Sequence, residues 1–224
     1  MSGSILIACC TLGKVRIEHE MAVIHQAFPL GRTAKFRVFL GLTTVDGRNW
    51  AVKEAFDEDA EYLLYWDDDM IPRSPSAVAA ITTPMAQNPE IDVVGGVYPM
   101  RRKDAPEPIV IKEKGAGIWW GWQDGGLHQV YMTGTGFTAL RVSSLKKLDV
   151  ETYSSQDGKL TLPRIFGRKS FNNGVDVGRM ADDEYLAELC AEAGLSWYVA
   201  GNVLCDQIDI DGHIYRVEDA KVAV

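Results

Sequence analysis

The sequence predicts an α/β protein built on a mostly parallel central sheet with helices on both faces. Two observations carry this reading. Through the first hundred residues, short apolar runs alternate with segments of helical periodicity, the pattern of strand–helix–strand units. The runs "SILIACC" (4–10), "EYLLYW" (61–66) and "IDVVGGVY" (91–98) are apolar throughout rather than alternating, as strands buried on both faces must be.

The elements follow in order. After the first strand, Ile17, Met21, Ile24 and Phe28 recur at intervals of four, three and four, which predicts an amphipathic helix with that stripe on the core. "KFRVFLGL" (35–42) is rich in strand formers and is closed by Gly41 and by "DGRN", which reads as a turn. A helix from about Asn49 to Phe56 should precede the strand 61–66. Ser74-Pro75 offers an N-cap with proline at the first helical position, opening a helix that ends before Pro89. The second half differs. Residues 99–126 are rich in proline, glycine and charge and contain "GAGIWWGWQDGG"; two shorter strands follow, "HQVYMT" (128–133) and "GFTALRV" (136–142). Residues 151–181 show little periodicity, as a functional lid would. "ADDEYLAELCAEAGL" (181–195) is a helix that closes on Gly194, and "SWYVA" and "NVLC" return to strand.

Composition narrows the function. The 224 residues are 46% apolar and 24% charged, with a net charge of −8. That fits one large globular domain, 1–224. The negative balance disfavours nucleic acid or an anionic membrane as the main partner. Cys9, Cys10, Cys190 and Cys205 form no CxxC arrangement, so buried free thiols are expected rather than a zinc site or a disulfide framework. No apolar run reaches membrane-spanning length and no leader pattern opens the chain, which points to the cytoplasm.

The chemistry centres on "YLLYWDDDMIP" (62–72). Three adjacent carboxylates at the end of a buried strand repel one another. Strands of such sheets present their ligands at their carboxyl ends. If the strand continues, Asp67 and Asp69 point one way and Asp68 the other, so two converging carboxylates need a cation. Oxygen ligands select Mg²⁺ or Mn²⁺. An acidic turn capping the next helix is the plainer alternative.

This stretch resembles the DxD strand of GT-A-fold glycosyltransferases, family 2-like, and other motifs fall in the order of that family. "GRN" (47–49) stands before the DxD strand, "VVGGVYPMR" (93–101) and "GTGFTALR" (134–141) after it, and "ADDEYLAELCAEAGLSWYV" (181–199) resembles the "ED" helix. Two departures stand out: "ADD" replaces the usual Glu-Asp, and "TTVDG" replaces a "DDGSxD" signature.

The resemblance implies Asp67, Asp69 and His213 as ligands of Mn²⁺ (or Mg²⁺). It implies Thr11, Arg48, Asn49, Asp67 and Asp68 at the nucleotide, and Asp183, with Asp182 beside it, as general base. Within the single domain, the first half (1–100) would bind the nucleotide and the second (101–224) would complete the metal and acceptor site. The donor would be a nucleotide-diphospho-sugar, UDP-linked foremost and GDP-linked next. The acceptor would be a hydroxyl of a glycan or another molecule, and the transfer inverting. Taken alone, His213 is an ordinary surface or core histidine, Arg101-Arg102-Lys103 a solvated basic turn, and Asp182-Asp183-Glu184 the acidic start of a helix. Trp119, Trp120 and Trp122 either stack on sugars or cover the sheet.

Two other classes compete. A nucleotidyltransferase would carry a glycine-rich basic loop after the first strand, and "CCTLGKVR" has one glycine. A non-catalytic module binding sugar nucleotides or carbohydrate would need no general base. A dinucleotide oxidoreductase is disfavoured because no GxGxxG follows the first strand.

Overall fold

The computed structural model describes residues 3–13, 15–102, 106–168, 170–172, 177–179 and 181–219. In chain order its first half comprises β1 (Ser4–Thr11), α1 (Ile17–Ile24), β2 (Thr33–Leu40), α2 (Thr44–Asp57), β3 (Tyr62–Trp66), β4 (Met70–Pro72), α3 (Ala77–Gln87) and β5 (Val93–Val97). The second half begins with β6 (Val110–Ile111), β7 (Leu127–Val130), β8 (Met132–Thr133), β9 (Phe137–Arg141) and the single turn α4 (Val142–Leu145). It continues with β10 (Thr152–Ser154), β11 (Thr161–Pro163), β12 (Ser170–Asn172), β13 (Val177–Arg179), α5 (Asp182–Glu192), β14 (Trp197–Ile208) and β15 (Ile214–Tyr215).

The central sheet runs β15–β14–β5–β9–β3–β1–β2, with β4 and β7 paired to β14. β1 is parallel to β2 and β3, and β5 is parallel to β14; β9 runs against β3 and β5, and the short strands β4, β7 and β15 run against β14. The fold is thus the α/β arrangement expected, a mostly parallel central sheet with helices packed on it.

Strand alternation divides the core in two. Leu6, Ala8, Leu63 and Tyr65 meet α2 and α5 through Ala51, Val52, Ala55, Leu186 and Cys190. Ile5, Ile7, Leu64 and Trp66 meet α3 through Ala77, Val78, Ile81 and Met85, with Ala22 and Val23 of α1 packed alongside. Helices therefore cover both faces.

Three local readings are corrected. "DGRN" is helix, because the Thr43 hydroxyl caps α2 by accepting from Asp46 N at 3.1 Å. Gly47 is tolerated inside it because its position faces β1, where a Cβ would lie 3.4 Å from Cys10 Sγ. α3 begins at Ala77, past Ser74-Pro75. The carbonyls of Ser74 and Pro75 are taken by Gln26 Nε2 (2.9 Å) and Ala27 N (2.6 Å), and Gln26 Oε1 receives Val78 N (3.1 Å). A glutamine from the segment after α1 thereby supplies the cap.

The third correction concerns α1 itself. Its stripe of Ile17, Met21 and Ile24 faces outward and is exposed, while His19 is fully buried. The His19 ring stands edge-on to Trp66 at 5.7 Å and tilted against Phe36 at 6.2 Å.

Residues 151–166 form a hairpin, β10 against β11, docked on α2. The remainder of the expected lid includes residues outside those described. Trp122 is buried, and Trp119 and Trp120 pack against the main core, so these tryptophans cover the sheet. Cys9, Cys190 and Cys205 are buried free thiols, and Cys10 is half-buried.

Candidate active site

β3 ends at Trp66, so the three aspartates lie beyond the strand. Met70 N donates to Asp67 O at 3.0 Å, closing a turn over 67–70. Asp67 N donates to Gly136 O (2.8 Å), and Ile208 N donates to Asp69 O (2.9 Å), which pins the turn between β9 and β14. Strand alternation therefore does not separate the acids. Asp67, Asp68 and Asp69 all line one crevice of about 620 Å³, with Thr11, Arg16, Arg48, Arg101, Ile208 and Ile210 among the other walls. It opens at the carboxyl ends of β1 and β3, where the topology predicts a ligand.

Each aspartate has its own partner. Asp67 Oδ2 accepts from Arg48 Nη2 at 2.9 Å. Asp68 accepts from the Thr11 hydroxyl, which itself receives Gly13 N at 3.0 Å. Asp69 Oδ2 accepts from Gln207 Nε2 at 3.0 Å and lies 3.2 Å from Arg101 Nη1. Asp67 Oδ1 and Asp69 Oδ1 are buried without a hydrogen-bond partner. Burial pushes Asp67 up to about 7, against the lowering pull of Arg48 and with the charges of Asp69 and Asp68 adding to it. Burial also raises Asp69, opposed by Arg101 and Gln207.

Arg48 is the centre of the site. Its guanidinium is buried, donates to Asp182 Oδ2 at 2.6 Å as well as to Asp67, and lies 5.5 Å from the Phe166 ring centroid and 5.8 Å from that of Tyr65. Two anions and two aromatic faces hold the cation in place. The first turn of α5 thus reaches the aspartate turn through one residue of α2. Asp183 is half-buried beside this pair, and neither it nor Asp182 is among the crevice walls; burial raises the Asp183 carboxyl, against the lowering pull of Arg48 and with Asp182 adding to the rise.

Gly134 and Gly136 make room for Tyr98. A Cβ on Gly134 would meet the Tyr98 hydroxyl oxygen at 2.1 Å, and Gly136 N donates to that hydroxyl at 2.8 Å. The "GTG" of the sequence is therefore a close-approach motif, and it lets Tyr98 pack against the strand that supports Asp67.

Two expected site residues lie elsewhere. Asn49 is fully buried and uses its whole amide on the hairpin. Its Oδ1 receives Ile165 N (3.1 Å) and Phe166 N (2.8 Å), and its Nδ2 donates to Phe166 O (2.8 Å) and Tyr153 Oη (3.0 Å). Nothing of it is left for a nucleotide. His213 sits on an exposed turn, where its N–H donates to Asp209 Oδ1 (2.9 Å) and its ring stands edge-on to Tyr215. It is not among the crevice walls. Among the described residues, no group of three or more His, Cys, Asp and Glu side chains is arranged to hold a metal ion.

Conversely, three site residues escaped the sequence reading. Arg101, read there as part of a solvated turn, follows the carboxyl end of β5, and that position was the available signal. Gln207 reaches Asp69 through the antiparallel register of β14 on β4, where it faces Met70; nothing local announces it. Phe166 covers Arg48 from a segment without periodicity.

No protein-family model matches the sequence, and no curated protein matches it either. Among solved structures the chain is similar to A197 from STIV, with a TM-score of 0.62 at 14% identity, covering 96% of this chain and 91% of that one. It also overlaps the synthetase of CMP:2-keto-3-deoxy-manno-octonic acid complexed with CTP, with a TM-score of 0.46 at 12% identity over 88% of this chain and 89% of that one. A further overlap is with GalNAc-T7 with UDP, GalNAc and Mn²⁺, with a TM-score of 0.48 at 10% identity over 99% of this chain and 45% of that one. At such identities the likeness is one of fold.

Proposed function

We propose that the chain is a metal-dependent glycosyltransferase. It would move a sugar from a nucleotide-diphospho-sugar to an acceptor hydroxyl with inversion. The observation that carries this is the pair of unpartnered oxygens, Asp67 Oδ1 and Asp69 Oδ1, on a turn that lines the crevice at the carboxyl end of β3. A buried carboxylate oxygen without a donor is costly unless a cation completes it.

In this reading Asp67 and Asp69 hold the ion, and waters and substrate fill its other positions. The ion, when bound, offsets the charge developing on the diphosphate leaving group. With His213 elsewhere the protein ligands are all oxygen, so Mg²⁺ suits the site as well as Mn²⁺. Thr11 and Asp68 offer a hydroxyl and a carboxylate to the nucleoside, and Arg101 faces the phosphates. Arg48 orients Asp67 and Asp182 rather than touching the nucleotide. Asp183, whose proton affinity burial raises, accepts the acceptor's proton as attack proceeds.

The test is a thermal-shift panel of UDP-, GDP-, dTDP- and CMP-sugars with and without Mn²⁺ or Mg²⁺. Metal-dependent stabilisation by a nucleotide sugar, lost in Asp69→Asn, is the expected result; no such shift with any donor would overturn the reading. Product analysis then separates the chemistries. Release of nucleoside diphosphate supports sugar transfer, whereas pyrophosphate would mean nucleotidyl transfer. Asp183→Asn should abolish turnover and leave nucleotide binding intact.

A further inference from the structure

The two carboxylates that keep an unpartnered oxygen, Asp67 and Asp69, are neutralised by two very different arginines of the same crevice. Arg48 serves Asp67 (2.9 Å) and Asp182 (2.6 Å), and its side chain is only 6% exposed. With two anions and two aromatic faces around it, Arg48 cannot leave without stranding largely buried acids. Arg101 is the opposite case. Among the described residues its one ion pair is with Asp69, at 3.2 Å, and its side chain is 50% exposed. The backbone on either side of it is held: Met100 N donates to Glu107 O (2.7 Å), and Arg102 N donates to Met100 O (2.8 Å). The guanidinium alone is therefore free to turn.

We propose that Arg101 is an exchangeable counter-charge, which neutralises Asp69 until a divalent ion replaces it there and then turns to the donor's diphosphate. The inference rests on the metal-dependent reading above and adds to it a residue that couples the two ligands. An arginine and a divalent ion on one carboxylate repel each other at short range, so Asp69 serves one or the other. Giving up Arg101 costs little, because an ion pair with a half-exposed partner is weak. The released fork stays in the crevice, where a phosphate group offers it a bidentate partner. Each ligand then favours the other: a diphosphate that draws Arg101 off Asp69 clears the carboxylate for the ion. Linkage requires the ion to favour the diphosphate by the same factor. Arg102 supplies a built-in contrast, since it carries the same charge one residue away, pairs with Glu107 at 2.9 Å and is not among the crevice walls.

The experiment measures binding on the whole chain, not turnover. Mn²⁺ is followed by the paramagnetic resonance signal of the free ion, without nucleotide and with saturating UDP, GDP or dTDP. Calorimetry gives the affinity for the same nucleotides in the presence of Mn²⁺. Without nucleotide, Arg101→Ala should bind Mn²⁺ about fivefold more tightly than the parent, the upper size of a partly exposed ion pair. With Mn²⁺ present, it should bind the preferred nucleotide about tenfold more weakly, as for one charge-assisted hydrogen bond lost. The factor by which nucleotide tightens Mn²⁺ should also fall. Arg102→Ala makes the same change of charge and should leave both affinities within about twofold of the parent, as for an exposed ion pair. Both variants are checked for an unchanged melting temperature.

Mn²⁺ affinity that is equal or weaker in Arg101→Ala would overturn the exchange, a weaker one making Arg101 a support of Asp69 instead of its competitor. Nucleotide affinity unchanged in that variant would overturn it too, because the guanidinium would then not reach the diphosphate. Equal effects of Arg101→Ala and Arg102→Ala would reduce the result to net charge and count against it likewise. The two readings fail separately. If the parent binds Mn²⁺ and nucleotide together and Arg101→Ala behaves like it, only the exchange falls. If neither protein binds Mn²⁺ with or without nucleotide, the metal-dependent reading falls and takes the exchange with it.

Discussion

Helices α1 and α2 pack on opposite faces of the same strands, and each inverts the usual amphipathic rule in its own direction. α2 buries Asp46, Arg48 and Asn49, whereas α1 exposes Ile17, Met21 and Ile24. On α2 each of these three buried polar side chains has partners. Asp46 accepts from Tyr153 Oη (2.7 Å) and Gln156 N (2.9 Å), Asn49 holds Ile165 and Phe166, and Arg48 holds the acids. On α1 the apolar stripe is left exposed by the described residues. The contrast teaches that a helix beside a binding crevice is shaped by what it must hold as much as by the core. α2 organises the site from within, and α1 offers it a flank.

The comparison can be broken most sharply at Arg48. Arg48→Met removes the counter-charge of two largely buried carboxylates, and breaking buried ion pairs typically costs about 3–5 kcal/mol. Urea unfolding should read a loss of that size, and a loss under 1 kcal/mol would mean that Asp67 and Asp182 find other partners. Asn49→Ala comes next. It strands two backbone N–H groups of the hairpin, which costs about 1–3 kcal/mol for each unsatisfied group. The same variant should leave nucleotide-sugar affinity unchanged within twofold, because its amide does not reach the crevice.

His19 gives a pH test of α1. Burial lowers its pKa from the ordinary value of 6.5, opposed by Glu20 and Asp68; neither ring nitrogen has a well-directed partner. The unfolded chain therefore takes up the proton first as pH falls. Stability is fully present above about 6.5 and is lost as pH falls from there toward the lowered folded value, by at most about 1.4 kcal/mol per pH unit. His19→Phe should flatten that part of the stability profile between pH 7.5 and 5, measured by denaturant midpoints; an unchanged slope would assign the acid sensitivity to other groups. The smallest effect is expected at Ile17→Ser, within about 0.5 kcal/mol of the parent as for other exposed positions. A loss above 1.5 kcal/mol would show that the stripe is covered after all.

Much of the fold was legible in the sequence because β1, β3 and β5 are continuous apolar runs, and such runs have few alternatives to a doubly covered sheet. The carboxyl-end rule then places the aspartates at a ligand site. What could not be read was set by distant partners. "DGRN" has turn composition, and it is helix because Thr43 caps it and β1 accepts Gly47 closely. Asp68 looked to be the odd acid out, yet the chain leaves the strand at Trp66, and a turn brings all three acids to one crevice. α1 misled most: its spacing is that of an amphipathic helix, but periodicity says nothing about which environment the apolar stripe meets. The Asn49 hairpin clasp joins residues more than a hundred positions apart, and no local pattern carries such a pairing.

The Arg48 bridge also bears on how the chain assembles. Arg48 lies in α2, Asp67 just after β3, and Asp182 at the start of α5, 134 residues from its guanidinium partner. Closing so long a loop is entropically late. Without α5 the guanidinium would have only one of its two anions. The crevice therefore depends on both halves of the chain, and a fragment ending after β5 would contain the aspartate turn without the Asp182 and Phe166 that hold Arg48 beside it.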